Sequence, residues 1–279
     1  MFEFVKIFFS LITLVSIWLM SNAYEKSMFE YSVLVIPGMQ NDTSHFMKLW
    51  YAFTSDFFFY AINIIPIAVT YVRMNDSRPR CFYYFFLVFG IDAMSAMLKL
   101  HRHQPRPFWV SADIEALSCV KQYGNPSGHS FSCMGLACAI WLDYNSWIGK
   151  HPEKTLSKWY WRTTFLLLAL AFGGYIAYSR VLLGVHSINQ VLFGLMLGVW
   201  YAGTAHFIVN KPLKKLIRAC LEGKETRLLR LFLISSAIYL TLIIVQIINY
   251  ESMKDFKNPA EWVKNAQEKC NFYDMSKVF

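Results

Sequence analysis

Seven apolar runs of near-bilayer length constrain this chain before any single residue does. A hydrocarbon layer about 30 Å thick is crossed by about 17–25 helical residues. The runs cover residues 4–20, 47–72, 81–98, 130–144, 161–178, 185–209 and 228–249, the fourth short enough that its helix is expected to begin near Gly128. Only 16% of the residues are charged while 56% are hydrophobic. Soluble domains carry about 25% charged residues, so these runs are read as lipid-crossing. The fold expected is an all-α, polytopic membrane helix bundle, a single integral domain over residues 1–279 with about seven spans. A small-residue sequence, Ser21-Asn22-Ala23, follows the first run, and cleavage there would leave six. With Lys6 the one cation before that site, the run is read as a retained anchor.

The net charge of +9 would suit a nucleic acid, but its placement argues against one. Arg73, Arg78 and Arg80 follow the second run. Lys150, Lys154, Lys158 and Arg162 follow the fourth. Lys211, Lys214, Lys215, Arg218, Lys224, Arg227 and Arg230 follow the sixth. These loops alternate on one side, and the positive-inside bias assigns that side to the cytosol. The other loops then face the lumen or exterior. Asn41, in Asn41-Asp42-Thr43, is a glycosylation acceptor on that side, whereas Asn75-Asp76-Ser77 falls on the cytosolic side. Six cysteines form no CxxC and no His/Cys cluster, so no metal site is expected. Cys119 and Cys270 share the lumenal compartment, as a disulfide or as two thiols.

Three polar blocks fall on this second side: Lys99-x6-Arg106-Pro107, Pro126-Ser127-Gly128-His129 and Ser179-Arg180-x5-His186. They supply three cations, a small-residue turn and two imidazoles. A phosphoryl dianion needs several cations, and Arg adds planar bidentate hydrogen bonding. Pro105 and Pro107 restrict the backbone around Arg106. Ser127 is placed to cap a helix whose first N–H groups face an anion, with Gly128 permitting close approach. His129 stands at that mouth, placed to protonate a leaving oxygen. Gln190 lies four residues beyond His186, on one helical face, and is placed to orient its imidazole without lending charge. Each block alone also reads as interfacial anchoring. Their ordered conjunction on one face does not.

In that conjunction the sequence resembles the type 2 phosphatidic acid phosphatase superfamily, which also includes glucose-6-phosphatases, dolichyl-diphosphate phosphatases and vanadium haloperoxidases. Its pattern is Lys-x6-Arg-Pro, Pro-Ser-Gly-His and Ser-Arg-x5-His-x3-Asp, and residues 81–203 match all but the last position, where Gln190 replaces Asp. The resemblance implies a cofactor-free phosphatase with His186 as nucleophile and His129 as acid and base. Lys99, Arg106, Ser127, Gly128 and Arg180 would hold the phosphoryl oxygens. It implies a phosphorylated lipid or a small phosphate ester as substrate, and residence in the endoplasmic reticulum or another endomembrane with a lumenal site. Gln190 and the stretch Arg106-Pro107-Phe108-Trp109-Val110 are also similar to the glucose-6-phosphatase branch. A non-catalytic membrane subunit that retains the fold is the rival from another class.

Other polar residues are assigned structural parts. Asp92 shares a helical face with Lys99 and is expected to pair with a cation, and Asp56 poses the same question. His206 lies about 200° round the helix from His186 and is left outside the site. Gly194-x3-Gly198 reads as close helix packing.

Overall fold

Backbone N–H and C=O groups in hydrocarbon have no water to bind, so they pair within helices. The computed structural model describes residues 2–72, 78–153, 158–222, 225–253 and 257–270. Ten α-helices and no strand occur among these residues: α1 (Phe2–Asn41), α2 (His45–Val72), α3 (Arg78–Arg102), α4 (Pro107–Val110), α5 (Gly128–Ile148), α6 (Trp159–Leu182), α7 (Ile188–Thr204), α8 (Asn210–Leu221), α9 (Glu225–Met253) and α10 (Ala260–Cys270). A π-helical turn, Ala205–Val209, joins α7 to α8. The expected all-α membrane bundle is what forms. Arg73, Lys154, Lys224 and the Asn75 sequon lie outside the described residues.

Six segments are long and apolar enough to cross a membrane: Phe4–Asn41, His45–Val72, Pro79–Val110, Trp159–Leu182, Ile188–Cys220 and Leu233–Ser252. The expected fourth span, α5, is not among these six, although it runs from the end that carries the blocks to the other end of the bundle. Its 21 residues give it about 31 Å of length. It is wrapped by protein instead of lipid, so Ser130, Ser132, Cys133 and Gly135 are buried along it in place of large apolar side chains. The number six therefore arises at α5 and not by loss of the first helix: Ser21-Asn22-Ala23 sits in mid-α1, with Ser21 buried. The outer helices present Phe53, Phe57, Leu167, Leu168, Leu240 and Ile244 outward, as a lipid boundary requires.

The central contact is between α5 and α7. A Cβ at Gly194 would lie 2.7 Å from the Ser127 carbonyl oxygen, and one at Gly198 would lie 2.8 Å from the Phe131 carbonyl. Only glycine permits that approach, so the packing read from the Gly194-x3-Gly198 spacing is present. At the far end of α5, buried Asp143 is held by Arg80 Nε at 3.4 Å, Tyr84 OH at 3.2 Å and His206 Nδ1 at 3.6 Å. His206 belongs to this cluster, outside the region of the three blocks.

Asn41, exposed at the end of α1, the three blocks, Cys119 and Cys270 all occupy the other end of the bundle. There α10 acts as a clamp on the segment after Arg106. Cys119 and Cys270 form a disulfide across 151 positions of sequence. Lys269 Nζ donates to the carbonyls of Phe108, Ser111 and Ile114. Asn265 Nδ2 donates to Trp109 O at 2.9 Å, and Tyr123 OH donates to Asn258 Oδ1 at 3.1 Å. Closing so long a loop removes much unfolded-chain entropy. The Cys119→Ser variant should lower the thermal midpoint of the purified protein by roughly 5–10 °C, read by intrinsic fluorescence in detergent. An unchanged midpoint would show that the clamp holds without its covalent link.

Candidate active site

Three local breaks in helical structure bring the blocks together. After α3 the chain turns through His103, at φ 48°, and Pro105 and Pro107 restrict the backbone around Arg106, the N-cap of α4. Ser127 is the N-cap of α5, its Oγ accepting from Ser130 N and from Ser130 Oγ, the latter at 3.1 Å. After α6, Gly184 takes φ 73°, a left-handed value that glycine adopts without strain. The chain then passes through His186 to Ser187, the N-cap of α7.

Arg106 is 1% exposed, and backbone carbonyls surround it. Its Nε donates to Gln122 O at 2.6 Å, and one terminal nitrogen donates to Val185 O at 2.8 Å. That same nitrogen lies 3.2 Å from His186 Nε2, and the other reaches Tyr123 O at 3.4 Å. His186 Nδ1 lies 2.9 Å from Gly124 O and 3.1 Å from Gln190 Oε1. The Gly124 carbonyl can only accept, which places the ring proton on Nδ1. The Nε2 lone pair then faces the Arg106 guanidinium.

Arg180, equally buried, donates to Asp56 Oδ1 at 3.2 Å and to Ser55 Oγ at 3.4 Å. Asp56 Oδ1 also lies 3.0 Å from His129 Nε2. His129 stacks on Phe59, with ring centroids 4.2 Å apart. Lys99 Nζ donates to Gln122 Oε1 at 2.9 Å. A Cβ built on Gly128 would meet Lys99 Nζ at 3.7 Å and Ser95 Oγ at 3.4 Å, so the missing side chain opens the face of α5 towards the lysine. Arg180 Nε and Ser95 Oγ are buried with no hydrogen-bond partner among the described residues. A buried donor left unpaired is costly, and both lie beside the cations.

All the blocks therefore meet at one end of the bundle, and Gln190 reaches His186 as its spacing predicts. Asp56 enters the site through His129 and Arg180, a partnership its position in an apolar run did not reveal. Asp92 is exposed and has no cation within ion-pair distance among the described residues, because Lys99 extends onward to Gln122. The carbonyls of Gln122, Tyr123, Gly124 and Val185 carried no signal, since every residue type has one. Ser95 could have been found one turn before Lys99.

The PAP2 superfamily model matches residues 80–213, which hold all three blocks. Over those residues the chain is similar to the PAP2 superfamily. A crystal structure of the first transmembrane PAP2-type phosphatidylglycerolphosphate phosphatase from Bacillus subtilis superposes with a TM-score of 0.56 at 15% identity, over 74% of this chain and 96% of that one. At that identity the likeness is one of fold. Comparison with curated proteins gives no match. The PAP2 region and its membrane fold together support a membrane phosphatase.

Burial holds the His186 imidazole well below the ordinary histidine range, with Arg106, Arg180 and Lys99 adding repulsion. The unfolded chain takes up this proton near pH 6.5 and the folded PAP2 site does not. The stability linked to this group therefore falls as pH drops below about 6.5. In ¹⁵N-histidine-labelled, ligand-free protein, the His186 ring should stay neutral through pH 6.5. A midpoint at or above that value would contradict the electrostatics described.

Proposed function

We propose that the chain is an integral membrane phosphatase that hydrolyses a phosphomonoester or diphosphate, a lipid phosphate first among them, through a phosphohistidine. The observation that carries this reading is the geometry of His186, with Nδ1 on the Gly124 carbonyl and Nε2 3.2 Å from the buried Arg106 guanidinium. In the proposed cycle Nε2 attacks phosphorus, the bond to the ester oxygen breaks, and His129 gives that oxygen a proton. His129 then takes a proton from water, whose oxygen attacks phosphorus as the N–P bond breaks. Lys99, Arg106 and Arg180, with Ser127 and the Gly128 amide, offset the charge on the equatorial oxygens. Side chains supply this charge, so EDTA should leave turnover intact. Asp56 would orient His129 between the two proton transfers.

Two features support a lumenal or extracellular site, as in the endoplasmic reticulum or another endomembrane. A disulfide at the same end of the bundle needs an oxidising compartment, and exposed Asn41 stands at that end for glycosylation. A lipid substrate is supported by Phe59, which brings α2, a lipid-facing helix, onto the His129 ring. The Bacillus subtilis structural relative is described as acting on a lipid phosphate. Gln190 suits glucose-6-phosphatase-like and dolichyl-diphosphate phosphatase-like enzymes alike, and the stretch Arg106-Pro107-Phe108-Trp109-Val110 keeps a sugar phosphatase as the second reading.

Phosphate release by detergent-purified protein, with phosphatidate, a polyprenyl diphosphate and glucose 6-phosphate side by side, tests this. His186→Ala should lower the rate by at least about a thousandfold. Asp56→Asn should lower kcat roughly ten- to a hundredfold. Release that persists in His186→Ala would refute the phosphohistidine. No release from any substrate, together with no vanadate binding, would favour the non-catalytic subunit.

A further inference from the structure

Both ends of the Gln190 amide are engaged. Its Oε1 accepts from Ser187 N at 3.3 Å and faces His186 Nδ1. Its Nε2 donates to Pro105 O at 2.8 Å and to Gln104 Oε1 at 3.1 Å. Gln104 Oε1 accepts a second hydrogen bond, from Asn189 Nδ2 at 2.9 Å. Asn189 Oδ1 in turn accepts from Ser187 Oγ at 2.6 Å. The Gln104 carbonyl accepts from Gly124 N at 2.9 Å, and Gly124 O is the other partner of His186 Nδ1. A ring of hydrogen bonds thus runs from His186 through Gly124, Gln104 and Gln190 back to His186. Gln190 is 0% exposed, Asn189 4% and Gln104 8%. A Cβ at position 124 would lie 2.3 Å from Gln190 Oε1, so the backbone there is shaped around the amide.

The direction of each bond follows from chemistry. A proline carbonyl can only accept, so the NH2 of Gln190 must face Pro105, and Oε1 must face the imidazole. Two acceptors then lie on His186 Nδ1, and the proton stays there. We propose that Gln104 and Asn189 are positioning residues which, through Gln190, lock the nucleophilic tautomer of His186, and that the site is matched to an uncharged amide at position 190. This rests on the reading of His186 as nucleophile. A carboxylate at 190 has no hydrogen to offer, and its second oxygen would confront the lone pairs of Pro105 O and Gln104 Oε1. Once phosphorus is bonded at Nε2, the ring keeps its Nδ1 proton. Its positive charge is offset by the phosphoryl oxygens in place of a carboxylate.

Two measurements on the full-length protein test the proposal. Long-range ¹H–¹⁵N correlation of the ¹⁵N-histidine-labelled protein, with His186 assigned by its loss in His186→Ala, should show a protonated Nδ1 and an unprotonated Nε2. The opposite tautomer, or a charged ring at neutral pH, would overturn the proposal without any variant having to fold. In turnover, Gln104→Glu keeps the double acceptor and should stay within about threefold of wild type. Gln104→Leu and Gln190→Glu should each lower kcat roughly ten- to a hundredfold at nearly constant KM. A faster Gln190→Glu enzyme, or unchanged turnover in Gln104→Leu, would sink the relay. If the wild type released no phosphate from any substrate, the phosphatase reading would fail by itself. The tautomer measurement would still decide the relay.

Discussion

Burying positive charge without a matching negative one is the constraint on which this end of the molecule depends. An ionised side chain taken out of water is costly unless it is paired or fully hydrogen-bonded. Lys99, Arg106 and Arg180 converge there, and Asp56 is the carboxylate that pairs with Arg180. Arg106 is stabilised by the carbonyl dipoles of Gln122, Tyr123 and Val185 and by the His186 Nε2 lone pair. Those dipoles help only if the 120s segment and the turn before His186 are held still. The α10 clamp, the prolines around Arg106 and the left-handed Gly184 each serve that end. Arg180 Nε and Ser95 Oγ remain buried there without a hydrogen-bond partner among the described residues.

The membrane and the site are coupled through α5. Its first turn carries Ser127, Gly128 and His129, and its flank meets α7 closely enough to exclude any side chain at Gly194 or Gly198. His186 precedes α7 directly, so this contact sets the spacing between the two histidine-bearing turns. Close backbone approach is obtained with small residues along α5, while its polar residues, His129 and Asp143 to Ser146, lie towards its two ends. At its far end, the cluster of Asp143, Arg80, Tyr84 and His206 pins the same helix in rotation.

This explains what was legible in the sequence. Runs that touch lipid announce themselves by composition, so α1, α2, α3, α6, α7 and α9 were readable. A helix enclosed by protein obeys packing instead, so α5 was legible only as a short run. The three blocks were readable because charged and imidazole side chains stand out, in order, beside apolar runs. Asp56 was visible as a carboxylate in an apolar run, but its partners lie 73 and 124 positions away and leave no local trace. Asp92 shows the reverse error. A shared helical face suggested pairing with Lys99, yet a lysine side chain is long enough to reach onward, and it bonds Gln122. Carbonyl ligands to Arg106 and His186 are invisible in principle, because residue type does not encode them.

The position of the one paired carboxylate also bears on how two imidazoles share the work. The PAP2 pattern places Asp four residues after the nucleophilic histidine, where its charge supports that ring. Here position 190 is an amide, and the carboxylate at the site, Asp56, lies 3.0 Å from the other imidazole, His129. An imidazolium at His129 would have a charge partner, whereas one at His186 would face Arg106 and be opposed by it. Environments that differ in this way give two identical side chains different electrostatics. Burial among guanidinium and carbonyl groups holds the His186 ring well below the ordinary histidine range. The His129 ring pKa is lowered as well, to about 4, by burial and Arg180, but there Asp56 pulls in the opposite direction. The replacement of Asp by Gln at 190 is then no simple loss: with a carboxylate on His129, an amide on His186 widens the contrast between the two.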